Sequence, residues 1–518
     1  MLKTAILSVI CFFNILPIFS KTLVVDSAAN PGIQVSIFMR PLTSGDTLII
    51  KPGTYTETAG WRVPEGVTII GESGPDVTRI VNIAQSNDGF VLNSNCTLKG
   101  LNLTNKLGRE NLVRIHDVKN VLVQDCIIHD AGPDGDCIKV TTSGEIHIDH
   151  CIIYNPGLRS SGYNQECVDF FTVKKSSITN SWLFDRSTST AHVLCYPKAG
   201  SGDILYEGNI FGPMYGNGTQ FGGSNWGSNP EIQVPYSCEN QIMRNNIFLD
   251  IKGTVVTIFE PKNCYFNNNI VYNCGVVFDY GTSMATADEA RNGWIYNNIF
   301  YNDRGNMKYI YAWRPTDPVY DFTMDYNLYY NNGTSVAYGY QTKGSHGFEA
   351  DPQLVNPRLP FTALIKHQNI EEIKSWFKLK QESPAVDKGI AAISGAVLFD
   401  PGKDFLNNAR TDGKIDLGPH EYGTVSYVLN NDIRLNSKIG FRAWQSGPYS
   451  MKIFLNNTRP SFLNLLNIRG QLIKSQKLNH YSNASTFNWN NLPTSSGLYV
   501  VELKSGMERT VDKVRMVN

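Results

Sequence analysis

One short phrase is written into the chain again and again: VLVQDCIIHD at 121–130, EIHIDHCIIY at 145–154, SITNSWLFDR at 177–186, ILYEGNIFGP at 204–213, QIMRNNIFLD at 241–250, CYFNNNIVYN at 264–273, WIYNNIFYN at 294–302 and FTMDYNLYYN at 322–331. Each copy reads as a strand, a polar corner and a second short strand. Its central position falls at Leu101, Cys126, Cys151, Trp182, Asn209, Asn246, Asn269, Asn298 and Asn327, with intervals from 23 to 37 residues. Apolar and polar residues alternate within each half, so one set faces inward and the other faces water. A single such unit buries too little to stand alone, and stacking the copies supplies a shared core. The period and the alternation therefore predict an all-β chain wound as a right-handed parallel β-helix. The corner asparagines read as left-handed turn residues whose amides bond to their copies one coil away. Neither the four-strand grammar of a propeller nor the leucine-and-helix consensus of a leucine-rich solenoid is present.

Composition agrees. The 44 glycines and the Asn-Asn pairs are the residues that enter left-handed corners at little cost. Lys+Arg and Asp+Glu balance at 46 each, so no global field draws the chain to nucleic acid or anionic lipid, and a polyanion must be held by a local site. The long intervals between Cys151 and Trp182 and between Asn209 and Asn246 imply loop insertions, where a solenoid's binding sites usually lie.

Residues 1–20 carry Lys3, an apolar run from Ala5 to Phe19 and a small Ser20, and read as a signal peptide. No later segment reaches about 18 uninterrupted apolar residues, so no stable membrane insertion is expected. Nine cysteines follow, all between Cys96 and Cys274, an odd number that cannot all pair internally. In the expected register Cys137 stacks on Cys167, close enough for a disulfide if the geometry allows.

The segments GDTLIIKPGTY (45–55), SPAVDKG (383–389) and RTDGKIDLGPHEY (410–422) resemble the opening and closing stretches of exported β-helix proteins of the pectate lyase and pectinesterase superfamily. They bracket a β-helix domain at 21–422. Past Gly423 the character changes to short alternating strands. LNIRGQLIKSQ (466–476), NLPTSSGLYVVELKSG (491–506) and DKVRMVN (512–518) resemble the C-terminal sorting domain of the type IX secretion system, which implies a small β-sandwich at 423–518 and export to the medium or cell surface. The resemblance makes the secretion machinery a partner; the chain is otherwise expected to be a monomer.

Between Asp130 and Pro213 the order PDGDCIKVTTSGEIHIDHCIIYN, QECVDFFTVKKSSITNSWLFD, HVLCYPK and ILYEGNIFGP resembles the middle of the pectate lyase family. In that family carboxylates from successive coils hold calcium, the calcium neutralises a uronate carboxylate, and a basic side chain removes the C5 proton. The resemblance makes Asp134, Asp136, Glu166 and Asp169 the candidate ligands of Ca2+, and an acidic polysaccharide the expected partner. Calcium takes hard oxygen ligands, and neutralising the carboxylate acidifies the neighbouring carbon.

Each acid also has a plainer role. Asp134 and Asp136 sit in a Gly-rich corner where aspartate closes turns, and Asp169, stacked on Lys139, would complete a surface charge ladder. His147 and His150 lie within the repeat as packing or hydrogen-bonding residues. Where the family carries its arginine, MYGNGTQFGGSNWG (214–227) holds no basic residue, and Thr190 and Ala191 stand near the HVL strand in place of a lysine. The base must then come from Lys175, Lys198, Arg186 or Arg159, the nearest basic residues in sequence. Tyr215, Phe221, Trp226 and Tyr236 are candidates to stack on sugar rings, or else to form a small loop core. Two alternatives stand beside elimination. Asp134, Asp136 and Asp169 suit hydrolysis by paired carboxylates, and the same face suits a non-catalytic carbohydrate-binding or adhesin β-helix.

Overall fold

The computed structural model describes residues 20–423 apart from 83–87, 106–109, 159–164, 224–235, 281–290, 313–321, 411–413 and positions 260, 340, 361, 363 and 364. Beyond 423 it describes the backbone of the strands within 440–516. The signal-peptide segment, Arg159 and Trp226 lie outside the described residues. The chain divides into two compact units, 1–428 and 429–518.

The first unit is a parallel β-solenoid with three faces. Each coil visits a first sheet, a second sheet and a third, then returns one level on. The Lys119–Gln124, Ile127–His129 and Ile138–Thr141 strands make one coil, and Gly144–Asp149, Ile152–Tyr154 and Glu166–Phe171 the next. The first and second sheets each run unbroken through 12 strands. The third is in two pieces: six strands ending at Val193–Lys198, and four beginning at Thr219–Phe221. Side chains of Ile138, Val140, Val168 and Phe170 alternate into one continuous core, as the period-2 pattern requires.

The corner between the first and second sheets is tied by a buried amide ladder. Oδ1 of Asn246 accepts the backbone N–H of Asn209 at 2.9 Å, Asn269 does the same for Asn246, Asn298 for Asn269 and Asn327 for Asn298. Each Nδ2 donates to a carbonyl of the preceding strands, as Asn246 does to Tyr206 O at 2.9 Å. The corner thus buries strong polar groups with their partners supplied.

Two details correct the sequence reading. The left-handed residue is the one before each ladder asparagine: Gly208, Asn245, Asn268, Asn297 and Tyr326 all have positive φ. The ladder position in the coil expected at Trp182 is Ser181, whose hydroxyl accepts the Cys151 N–H at 3.0 Å and whose own N–H reaches Asn209. Trp182 sits one residue further, in register with Ile152 and Ile210 and fully buried.

After the last coil the chain turns back along the solenoid. The Asn369–Trp376 helix buries Ile370 and Ile373 against the outer side of the second sheet, together with Phe377, Leu379 and Leu417. Ala396 and Phe399 pack on Tyr265 of the first sheet. Arg244 ties the return at Asp400 (2.7 Å), and Arg410 at the Asn245 amide (3.0 Å).

All nine described cysteines are buried free thiols. The register does place Cys137 beside Cys167, because Ile138 pairs with Val168. Each thiol instead donates to a carbonyl, Tyr154 O at 3.4 Å and Phe184 O at 3.5 Å, so no disulfide forms there.

In the second unit, Gly440–Gly447, Ser450–Asn456 and Ser485–Trp489 form one antiparallel sheet, and Leu472–Leu478, Ser461–Asn467, Gly497–Ser505 and Glu508–Met516 another. Among the described residues no helix is long and apolar enough to cross a membrane.

Candidate functional site

The chemistry gathers on the outward rows of the third sheet. Parallel register sets Arg114 beside Lys139, Lys139 beside Asp169 and Asp169 beside Tyr196 on successive coils, while Phe171 stands beside Lys198. Coils about 4.8 Å apart bring long side chains of adjacent rows into contact.

Asp136 closes the turn before its strand. Its N–H donates to Asn111 Oδ1 (3.1 Å), its Oδ1 accepts the Glu166 N–H (3.0 Å), and its Oδ2 accepts from Lys139 Nζ (2.9 Å). Asp169 accepts from Lys139 at 2.7 Å through Oδ2, while its Oδ1 faces Lys198 Nζ at 3.1 Å without an aligned hydrogen bond. One oxygen from each of Asp136, Glu166 and Asp169 lies within 4.8 Å of the others, and all three residues are at most 2% exposed.

Burial, with the neighbouring charges of Asp136 and Asp169, pushes the Glu166 carboxyl well up. Burial pulls the two lysines down, but the carboxylates outweigh it, and Lys139 and Lys198 both lie above the ordinary lysine range. Three carboxyl groups thus face two lysines. Lys198 also sits over the Tyr196 ring at 4.1 Å.

Three oxygens converging from two coils form the hard donor set that calcium takes, and Asp169 Oδ1 is buried without a hydrogen-bond donor. Lys139 Nζ lies between two of the three carboxylates, at 2.9 and 2.7 Å, and would have to leave for an ion to bind there. The donor chemistry of the three residues fits the ion on that condition.

Of the residues singled out in the sequence, the structure brings together Asp136, Glu166, Asp169 and Lys198. Asp134 is exposed at the turn and outside the converging group. Lys175 is exposed on the first sheet, a different face of the solenoid. Arg186 and Tyr215 share a cleft at the corner of the second and third sheets. Tyr236 is half-buried under Lys262, 5.0 Å from its ring centre. Phe221 cannot stack on a sugar: its ring is fully buried and faces Phe322 inside the coil. His147 shares a hydrogen bond with Ser177 Oγ (2.9 Å) on the next coil, and His150 packs at a tilt against His367 of the returning segment, ring centres 5.3 Å apart.

Lys139 is the member that sequence reasoning left as a surface pair. Also missed was a buried pair one strand end away, where His192 Nδ1 meets Asp185 Oδ2 at 2.7 Å. Spacing carried a signal for the first: Arg114, Lys139 and Asp169 repeat at the coil interval. It carried none for the second.

Residues 447–517 match the Secretion system C-terminal sorting domain. The chain ends in a type IX sorting signal. A protein with this sorting tail is secreted or held at the cell surface, and the secretion machinery is its partner. No curated protein matches the chain in sequence. Among solved structures it is similar to pectate lyase Pel9A, at 13% identity and TM-score 0.45, covering 78% of this chain and 96% of that one. It is also similar to the A-module of the Azotobacter vinelandii mannuronan C-5 epimerase AlgE6 (13%, TM-score 0.38, 60% and 92%). A third likeness is to the catalytic domain of a GH87 alpha-1,3-glucanase (13%, TM-score 0.35, 64% and 68%).

Proposed function

We propose that this exported β-helix is a lyase that cleaves a uronic-acid polysaccharide by β-elimination, with Lys198 taking the C5 proton and Asp136, Glu166 and Asp169 holding calcium. The observation that carries the reading is Lys198 itself, a lysine 3.1 Å from an acidic cluster on the outward face of the same sheet. Hydrolysis by paired carboxylates needs no such group.

Bound calcium would neutralise the substrate carboxylate and so acidify the neighbouring C5 proton. The rest falls to the chain. The Tyr196 ring and Asp169 together fix the Lys198 head, at 4.1 Å from the ring centre and 3.1 Å from the carboxylate. Lys198 acts as the amine. Burial favours that form, and the charges of Asp169 and Glu166 oppose it, so any neutralisation of those carboxylates moves Lys198 toward the reactive state.

One observation favours a second reading, a non-catalytic carbohydrate-binding face: the acids of the cluster are at most 2% exposed, and Asp136 and Asp169 are already engaged by lysines. The full chain is mixed with polygalacturonate, alginate or chondroitin sulfate, with calcium or with chelator, and the ultraviolet absorbance of the unsaturated product is followed. A calcium-dependent rise is expected on one of them. Binding without any product would move the chain to the second reading.

A further inference from the structure

The corner between the second and third sheets opens into a cleft of about 370 Å³, within the size range of ligand clefts, about 300–1,000 Å³. Asp185 and Arg186 line it from one coil, Tyr215 from the next, Asp250 and Lys252 from the one after, and Thr362 from the returning segment. We propose that this cleft is a second saccharide subsite, selective for a sugar ring bearing a carboxylate, with Tyr215 stacking on the ring and Arg186 and Lys252 reading the charge. The inference rests on the polysaccharide reading above, but it uses none of the residues of the third-sheet cluster.

Tyr215 is 49% exposed while its neighbour Met214 is 2% exposed, so the ring is anchored at its base and presented to solvent. A tyrosine so placed offers an apolar face and a polar tip.

Arg186 is oriented in advance. Its guanidinium lies 4.7 Å over the ring of Tyr154, which is itself stacked between His129 and Phe184 at 4.7 and 4.6 Å. Asp130 Oδ1 stands 3.6 Å from its Nη2 as an ion pair but is only 18% exposed, so the guanidinium keeps a solvent-facing side for a carboxylate.

Around the cleft the cations are more exposed than the carboxylates: Asp250 and Asp130 are 12% and 18% exposed, Arg304 38%. Lys252 and Arg304 both rest on one oxygen of Asp250, at 2.8 and 2.7 Å. Asp185 is withdrawn from the opening. Its side chain is 0% exposed and its Oδ2 is occupied by His192 at 2.7 Å and by Ser187 Oγ at 2.5 Å. Arg186 and Lys252, 37% and 43% exposed, are left facing the opening.

The test is a calorimetric titration of the full chain with an oligogalacturonate of defined length and with its methyl ester, which lacks the charge and carries one added methyl on each carboxyl. Wild type is expected to prefer the acid about tenfold, the size of one good charge-assisted contact. R186Q/K252Q should lose that preference, and Y215A should weaken both ligands alike. These side chains are exposed, and an unchanged circular dichroism spectrum and thermal midpoint would show the variants folded.

K198A separates the two ideas. If it abolishes product but keeps the acid preference, cleft and cleavage are distinct, as proposed. A complete absence of product in wild type would sink the lyase reading and leave the titration informative. Retention of the preference in R186Q/K252Q, or equal competition by inorganic phosphate, would overturn the subsite.

Discussion

Asp169→Asn keeps the shape of the side chain and removes one charge from the centre of the cluster. Asp169 is 1% exposed and holds Lys139 at 2.7 Å and Lys198 at 3.1 Å. Lys139 retains Asp136 at 2.9 Å and has water on its other side, so it contributes little to the loss. Lys198 is only 13% exposed and is left as a buried cation without its partner. Breaking such a pair costs about 3–5 kcal/mol, and the residual exposure of Lys198 places the expected loss near the lower end, about 3 kcal/mol.

The pH dependence identifies the cause. In wild type the folded-state pKa of Lys198 is above the unfolded value, about 10.4, so the pair is at full strength below that value and fails only as pH rises through the folded pKa. In the variant, burial becomes the dominant influence and the folded pKa falls below the unfolded one. The folded state then binds fewer protons than the unfolded chain, and stability rises with pH. Urea midpoints of wild type and D169N should therefore differ most near about pH 6–7 and converge toward about pH 10. A deficit that does not shrink with pH would show that lost packing, not a stranded ammonium, is responsible, and the assignment of the pair would fail.

Three further outcomes follow from the structure. Lys198→Ala should lower elimination by at least about 100-fold with the fold intact, and Lys198→Arg should not restore it, because a guanidinium stays protonated. The wild-type rate should climb through the alkaline range, since the reactive amine belongs to a group whose pKa is raised; a rate flat in pH would exclude Lys198 as base. Asn246→Leu should strand the Asn209 N–H and the Tyr206 carbonyl inside the solenoid. At about 1–3 kcal/mol for each group, the thermal or urea midpoint should report a loss of about 2–6 kcal/mol, and a midpoint equal to wild type would show the ladder to be dispensable.

The solenoid was readable in the sequence because every coil must solve the same problem. Inward positions repeat as apolar residues, and the corner repeats as a buried amide. The misplacement of Trp182 has the same origin: Ser181 satisfies the Cys151 N–H with a hydroxyl, so the asparagine that marks the corner elsewhere is absent there. The acids of the site were legible for a related reason. Asp136 and Glu166 occupy matching levels of adjacent coils, and Asp169 falls one outward row along. What spacing does not encode is which long side chain leans into which row. Lys198 is level with Phe171, two positions beyond Asp169, and reaches back to it. Lys175 is nearer Asp169 in sequence but belongs to another sheet. Sequence distance and distance across coils are unrelated quantities once a chain is wound.

The location of the cluster along the solenoid also has a physical reason. Lys198 belongs to the last strand of the six-stranded piece of the third sheet, where the ladder breaks. The next strand is joined through Asn217, whose N–H donates to His192 O (3.0 Å), and through the Gly218 carbonyl, which accepts from both Leu194 (3.0 Å) and Cys195 (3.3 Å). Beyond it the chain passes Tyr196 and Lys198 as glycine: a Cβ on Gly223 would lie 2.2 Å from Tyr196 Cε2 and 2.8 Å from Lys198 Cβ. Close passage of a bare backbone covers the Lys198 stem. An unbroken ladder would set an ordinary next-coil side chain there, either pairing with the lysine or covering it. The inward rows cannot vary without opening the core, so the outward row at a break in one sheet is where this fold can hold a buried lysine against buried acids at no cost to its own packing.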